Sequence, residues 1–187
     1  STLGPKSPGT AANAGVPGAS WSNPGNVVSS DDSRATCALV GFPASGSYSD
    51  MINITNFDFS ELPDDAVIGG ITVEVERSVT STSGSPRDVS VSLIGLTGTS
   101  SDKASGTTYP TSDAYATYGG SADKWGFTTP SVSEIKATTF GVAVRSQVNT
   151  GEGISTTVRI DHVRITLTYT SSGGGGPASN RLLMGVG

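Results

Sequence analysis

The chain has 187 residues, of which 34% are apolar and 14% are charged, and its net charge is −5. This length suits one domain with terminal segments, and the abundance of Ser, Thr and Gly favours a β-sandwich over a helical protein. The acidic balance and the lack of a basic stretch exclude non-specific binding of nucleic acid. No apolar run approaches the roughly 20 residues that span a bilayer, so we expect no membrane partner.

The first 20 residues contain mostly Gly, Pro, Ala and Ser, with little that could form a core. We interpret residues 1–20 as an extended N-terminal arm or a disordered tail. They also lack the apolar stretch of a secretory signal peptide. The folded domain is therefore expected to occupy residues 21–170.

Six short runs between the terminal segments predict β-strands. They cover residues 35–40, 49–59, 70–77, 87–95, 140–146 and 156–169. In the clearest run, Ile71, Val73 and Val75 would face the core, while Glu74 and Glu76 would form the solvated face. Several short strands separated by turn residues favour an all-β fold, an antiparallel β-sandwich with long loops.

The last predicted strand changes its alternation in the middle. Its apolar positions shift parity between Ile160 and Val163. A β-bulge at Asp161–His162 would produce this shift, because a bulge inserts one extra residue into a strand. His162, the one histidine of the chain, would then be a partly exposed strand residue.

Residues 96–129 are long for a plain loop in a compact domain. We expect them to hold a short strand near 115–118 and to form the most variable surface. After Pro130, Ser131 and Glu134 have the spacing of a helix-capping box, which predicts a helix of at most two turns.

The C-terminal segment, residues 171–187, begins with the sequence SSGGGG and ends with PASNRLLMGVG. The glycines predict a flexible linker. Arg181, Leu182, Leu183 and Met184 would form a docking peptide that binds a partner protein from this linker. A leftover tail without a partner is the alternative interpretation.

The sequence gives little support for catalysis, and we expect neither an enzyme nor catalytic residues. A Ser-His-Asp hydrolase would need His162 as its base, and no serine lies in a Gly-x-Ser-x-Gly turn. Glu74 and Glu76 would lie roughly 6–7 Å apart on one strand face, a distance that suits a glycosidase pair. Two carboxylates on one strand normally face solvent, so a glycoside hydrolase is the weaker interpretation.

No cofactor is expected, and the candidates for a bound metal are weak. Cys37 is the one cysteine, which excludes an internal disulfide or a multi-cysteine zinc site, and its apolar surroundings predict a buried small side chain. Acidic groups at 29–33, 62–65 and Asp161 could hold a structural calcium, although none has EF-hand spacing.

Five phrases, read in order, carry a resemblance to a known family. They are SWSNPGN (20–26), FDFSELPDDAVIGGITVEVER (57–77), YGGSADKWG (118–126), FGVAV (140–144) and RIDHVRITLTY (159–169). Together they resemble a jelly-roll-like domain of structural proteins from tailed bacteriophages, found in head-decoration and tail-associated components.

The resemblance implies a virion structural protein, made in the bacterial cytoplasm. Its most direct form is a head-decoration, or cement, protein that binds the major capsid protein or other virion proteins in multiple copies. The family supplies no catalytic motif. The alternative is a tail-associated receptor-binding or carbohydrate-binding module, in which Tyr115, Tyr118 and Trp125 would stack on a host glycan.

Overall fold

A computed structural model describes residues 1–172 of the chain and shows two antiparallel sheets packed as a β-sandwich, which confirms the predicted fold class. The strands are β1 (Thr2–Lys6), β2 (Thr10–Asn13), β3 (Ala35–Val40), β4 (Ile52–Thr55), β5 (Val67–Val79), β6 (Arg87–Ile94), β7 (Ala114–Gly120), β8 (Gly141–Gln147) and β9 (Ser155–Thr170). The helical segments are α1 (Val132–Lys136) and two 3₁₀ turns, Pro24–Val27 and Ala44–Gly46. None of the helices within residues 1–172 is long and apolar enough to cross a membrane.

Successive strands alternate between the two sheets, as in a jelly roll. The first sheet has the order β1-β9-β5-β7, and β3 also pairs with β9. The second sheet has the order β2-β4-β8-β6. The long strands β5 and β9 form the centre of the first sheet, and their inward side chains meet those of β4, β6 and β8 in one core.

The core confirms the alternation expected from the sequence. Ile71, Val73 and Val75 of β5 are buried and pack in the same cluster as Ile54 and Val144 of the second sheet. Cys37 is buried as predicted, and burial raises the pKa of its thiol to about 12. A thiol with this pKa stays protonated at neutral pH, so Cys37 acts as a small core side chain.

The N-terminal segment differs from the predicted arm because it belongs to the sandwich. β1 pairs with β9, with Leu3 opposite Leu167, and β2 pairs with β4, with Ala11 opposite Ile54. Residues 1–20 therefore add one strand to each sheet. Composition could not predict this result, because edge pairing is made by main-chain groups that every residue other than proline supplies in full.

Two local predictions, the strand at 49–59 and the capping box at Ser131 and Glu134, need correction. β4 is shorter than the predicted strand 49–59, because Phe57 and Phe59 leave the strand and pack in the core, where Phe59 contacts Phe140 edge to face. Ser131 takes the N-cap position of α1, but no capping box forms. Glu134 instead accepts hydrogen bonds from the main chain and hydroxyl of Thr97.

Two further local predictions are confirmed. The 96–129 segment contains the expected short strand, β7. The shift in β9 is also present, since Glu76 pairs with His162 while the next residue, Arg77, pairs with Ile160. Asp161 is the extra residue of this bulge. The docking peptide predicted at Arg181–Met184 lies outside the described residues.

Candidate functional site

The bulge in β9 gathers the polar side chains of the first sheet on its outer face. Asp161 has no partner on β5, and both Asp161 and His162 are buried. Glu76 of β5 lies opposite His162 of β9 on one side and opposite Tyr115 of β7 on the other. We call Ser7, Glu76, Tyr115, Asp161 and His162 the bulge cluster.

Both ring nitrogens of His162 have hydrogen-bond partners. The Nε2 atom lies 2.9 Å from the hydroxyl of Ser7, and the Nδ1 atom lies 2.8 Å from the hydroxyl of Tyr115. Burial lowers the pKa of His162 against the opposing effect of Glu76, so the ring is neutral at pH 7. A neutral ring can donate to one hydroxyl and accept from the other.

His162 is only 7% exposed, which corrects the expectation of a partly exposed residue. The cover comes from distant parts of the chain. Val28 forms an isolated β-bridge with His162, and Ser7 lies in the connection between β1 and β2. Since neither segment has a strong strand pattern, the sequence of β9 alone gave no sign of this cover.

Glu74 and Glu76 occupy the outer face as predicted, yet neither is a freely solvated side chain. Glu74 accepts two hydrogen bonds from Arg164, its neighbour on β9, at 2.8 and 2.9 Å. The guanidinium of Arg164 also lies 4.1 Å from the ring centre of Tyr115. This stacked, bidentate pair leaves Glu74 unsuited to act as a free acid or nucleophile.

The carboxylates of Glu76 and Asp161 are less completely bonded. Within residues 1–172, one buried oxygen of each has no hydrogen-bond partner. Burial raises the pKa of Asp161, and the negative charges of Glu76 and Asp113 act in the same direction. Asp113 itself is held by Arg34, which lowers the pKa of Asp113.

Arg77 lies on the opposite side of the sheet from Glu74 and Glu76. Arg77 is an odd-numbered residue of β5, like Val73 and Val75, and such residues face the core. Its side chain therefore enters the core and pairs there with Asp88 of β6. Tyr118 and the main chain of Ser105 donate to Asp88 at 3.0 and 2.7 Å. The alternation of β5 was the signal that could have predicted this burial.

The aromatic residues expected to form a sugar-binding edge are mostly inside the protein. Trp125 is fully buried, and its indole donates to the carbonyl of Ile71 at 2.8 Å. Tyr118 is 4% exposed, and Tyr115 is half-buried against His162. Tyr118 and Trp125 therefore cannot form an exposed stacking surface, because their ring faces are packed against the core.

Aspartates of the groups at 29–33 and 62–65, which were considered for calcium, are bound to protein partners. Asp31 accepts from Ser29 and Ser33, Asp65 accepts from Ser172, and Asp64 pairs with Lys136. Among residues 1–172, no group of three or more His, Cys, Asp or Glu side chains has the arrangement of a metal site.

The bulge cluster has part of the arrangement of a catalytic triad. Ser7 is exposed, His162 lies within hydrogen-bond distance of its hydroxyl, and Tyr115 orients the opposite side of the imidazole. This order of nucleophile, base and orienting group can polarise a serine hydroxyl. A hydrolase also needs a substrate cleft and an oxyanion hole beside that serine.

Two shallow grooves lie at the other end of the first sheet. One, of about 520 Å³, is lined by Asp64, Ala66, Lys136 and residues 129–133. The second, of about 320 Å³, is lined by residues 97–99 and 126–129. Ala66 and Glu76 are ten positions apart along the chain, or roughly 30 Å at the rise of a strand. The first groove is therefore separate from the bulge cluster.

Comparison with known proteins adds no functional assignment. The sequence matches no protein family model and no curated protein sequence. A solved structure titled "Structure of PfGH50B" is 13% identical, with a TM-score of 0.35. The match covers 73% of this chain and 20% of that chain. Likeness at this level carries no inference about fold or function.

Proposed function

We propose that this chain is a structural protein of a tailed-bacteriophage virion, and most simply a head-decoration protein that binds the capsid surface. The observation that carries the proposal is the mutual pairing of the polar side chains. Arg77 is bound to Asp88, Glu74 to Arg164, and His162 to two hydroxyls. Side chains bonded in this way have few free groups with which to act on a substrate.

The resemblance to phage structural proteins rests on residues that hold the sandwich together. The large side chains of its phrases are buried, namely Trp21, Phe57, Phe59, Trp125, Phe140 and Ile165. Because buried residues hold the two sheets together, these phrases support a likeness in fold to the phage proteins. The virion role extends that likeness from fold to function, and for this reason it needs a direct test.

The ends of the sandwich support a role for the C-terminal segment in attachment. Ser1 and Tyr169 exchange two main-chain hydrogen bonds of 2.9 and 3.0 Å, and the main chain of Ser172 donates to Asp65. The segment after Ser172 therefore starts from a fixed point at the end of the central strand β9. Its residues Arg181, Leu182, Leu183 and Met184 would bind the capsid, and many copies on a lattice would gain avidity.

The test is the amount of protein that stays on purified particles. Phage carrying Leu182→Asp together with Leu183→Asp should retain much less of the protein, because the introduced charges would have to be buried in an apolar contact. Ser179→Asp adds charge to the same segment at a polar position and should keep normal occupancy. Equal occupancy of all three proteins would refute the docking role, and absence of the protein from particles would refute the virion role.

The smaller groove favours a second candidate, a tail-associated receptor-binding or carbohydrate-binding module. Half-buried Phe127 lies there among threonine residues, and a ring beside hydroxyl groups suits a sugar. On this view, Phe127→Ala should abolish retention on a glycan array, whereas Phe42→Ala, which alters an exposed ring elsewhere, should not. The decoration role predicts no glycan binding by any of these proteins.

A further inference from the structure

Strand β7 leaves one edge of the first sheet without a partner among the described residues. β7 pairs with β5 on one side only. No hydrogen bond within residues 1–172 engages the outward main-chain groups between Ala114 and Gly119. Ala114, Thr117 and Gly119 are also exposed, so this edge is open to another chain.

The register identifies the main-chain groups that point outward. On β5, the N–H groups of Ile71 and Val79 donate to Asp123 and Pro110, on the side of the sheet where β7 lies. The main-chain N–H and C=O groups of the odd-numbered β5 residues therefore point toward β7. The β7 residues opposite them are even-numbered. Tyr115 and Thr117 are left with outward N–H and C=O groups, and the regular strand geometry ends at Gly119, whose φ is 70°.

Strand β6, at the edge of the second sheet, shows how this protein closes an edge. On β6, the N–H of Val91 donates to Asp102 at 3.0 Å, and the N–H of Leu93 donates to Ser100 at 2.9 Å. The carbonyl of Val91 accepts from the main chain of Lys103 at 2.8 Å. The loop around residues 100–103 thus satisfies the outward groups of β6.

The remaining edges are short, interrupted or bonded. β1 has a register shift between Leu3 and Lys6 and contains Pro5. β2 has four residues, and β3 exchanges two main-chain hydrogen bonds between Thr36 and Ser22. Proteins protect edge strands by these devices, and an edge without them is a site for strand addition.

We propose that β7 binds the β7 strand of a second copy of this chain in an antiparallel, two-fold arrangement centred on Thr117. This register lets the outward N–H and C=O groups of Thr117 in one copy bond to those of Thr117 in the other. β7 carries no charged residue, and the neighbouring Glu74 is neutralised by Arg164. No like charges would therefore meet across the two-fold axis.

The dimer should be weak and reversible. Pairing of two seven-residue strands buries less than the roughly 1,200–2,000 Å² of stable protein interfaces. It should therefore form at high protein concentration or where copies are held close together. The inference concerns the isolated protein, so its failure would leave the proposed virion role untouched.

The first test is disulfide formation by the full-length Thr117→Cys variant. Residues opposite each other in a hydrogen-bonded antiparallel pair have Cα atoms about 5.5 Å apart, within the range of a disulfide. Thr10→Cys places a thiol on an exposed edge residue of the other sheet and measures random collision, while buried Cys37 does not interfere. Because pairing raises the effective concentration, Thr117→Cys should cross-link at least about tenfold faster. Equal rates would overturn the proposal.

The second test is sedimentation of the full-length protein over a concentration series. Thr117→Lys should abolish the dimer, because two lysines would meet at the two-fold axis, whereas Thr10→Lys should leave it unchanged. Thermal melting checks that both variants fold. A wild-type protein that stays monomeric throughout the series would overturn the proposal. A dimer lost in Leu182→Asp but kept in Thr117→Lys would also overturn it, and would assign the contact to the C-terminal segment.

Discussion

The two faces of strand β5 hold the same kind of ion pair in different surroundings. On the inner face, Arg77 and Asp88 are 5% and 0% exposed. On the outer face, Arg164 and Glu74 are 32% and 23% exposed, so water still reaches both partners. A buried charge that loses its partner is costly, whereas an exposed pair contributes little. The inner pair should therefore determine stability, and the outer face should tolerate change.

The largest effect is expected from Arg77→Met, which keeps much of the side-chain volume and leaves the carboxylate of Asp88 buried without its cation. Breaking a buried pair in this way costs about 3–5 kcal/mol. Urea unfolding measures the change in the free energy of unfolding. A loss below 1 kcal/mol would show that the inner pair is no more important than the outer one.

The second prediction is that Asp88→Leu partly rescues Arg77→Met. With both charges removed, no uncompensated ion remains in the core, although Tyr118 and Ser105 lose their acceptor. The double variant should be more stable than the Arg77→Met single variant. A double-mutant cycle should give a coupling energy of about 1–3 kcal/mol. Additive losses would mean that the two side chains act independently.

The third prediction concerns the pH dependence set by His162. Burial lowers the pKa of His162 from its ordinary value of 6.5, so the unfolded chain binds a proton more readily than the folded one. The stabilising contribution is fully present above pH 6.5 and is lost as the pH falls through the lowered pKa. His162→Gln should reduce the loss of stability between pH 7.5 and pH 5. Identical pH profiles for the two proteins would contradict this assignment.

The smallest effect is expected from Glu74→Gln on the outer face. Partly exposed pairs contribute about 0.2–1 kcal/mol, and the amide keeps one hydrogen bond with Arg164. The same urea experiment that measures Arg77→Met provides the comparison. A loss as large as that of Arg77→Met would remove the distinction between the two faces.

The sequence predicted what depends on local alternation. The β-sandwich, the strand at 35–40 and the bulge at Asp161–His162 all follow from the spacing of apolar residues, because a strand with one buried face must alternate. The burial of Arg77 is also consistent with this alternation, because Arg77 is two residues from the buried Val75 and faces the same side of the strand. This signal is easily missed, because a charged side chain interrupts the apolar pattern of the strand.

The sequence could not predict contacts between distant segments. Ser7 and His162 are 155 positions apart, and nothing in the composition of residues 1–20 indicates that they pair with both sheets. The burial of Trp125 had the same cause, since its indole bonds to a carbonyl of β5. Such contacts depend on how the sheets assemble, and the pattern of a single strand carries no record of that assembly.

The most direct test of the proposed role is immunogold labelling of phage particles with an antibody against this protein. The decoration role predicts regular labelling over the heads of intact particles. Labelling confined to the tail would contradict decoration and favour the tail-associated alternative, directing attention to the groove around Phe127. Particles without any label would contradict the virion role itself.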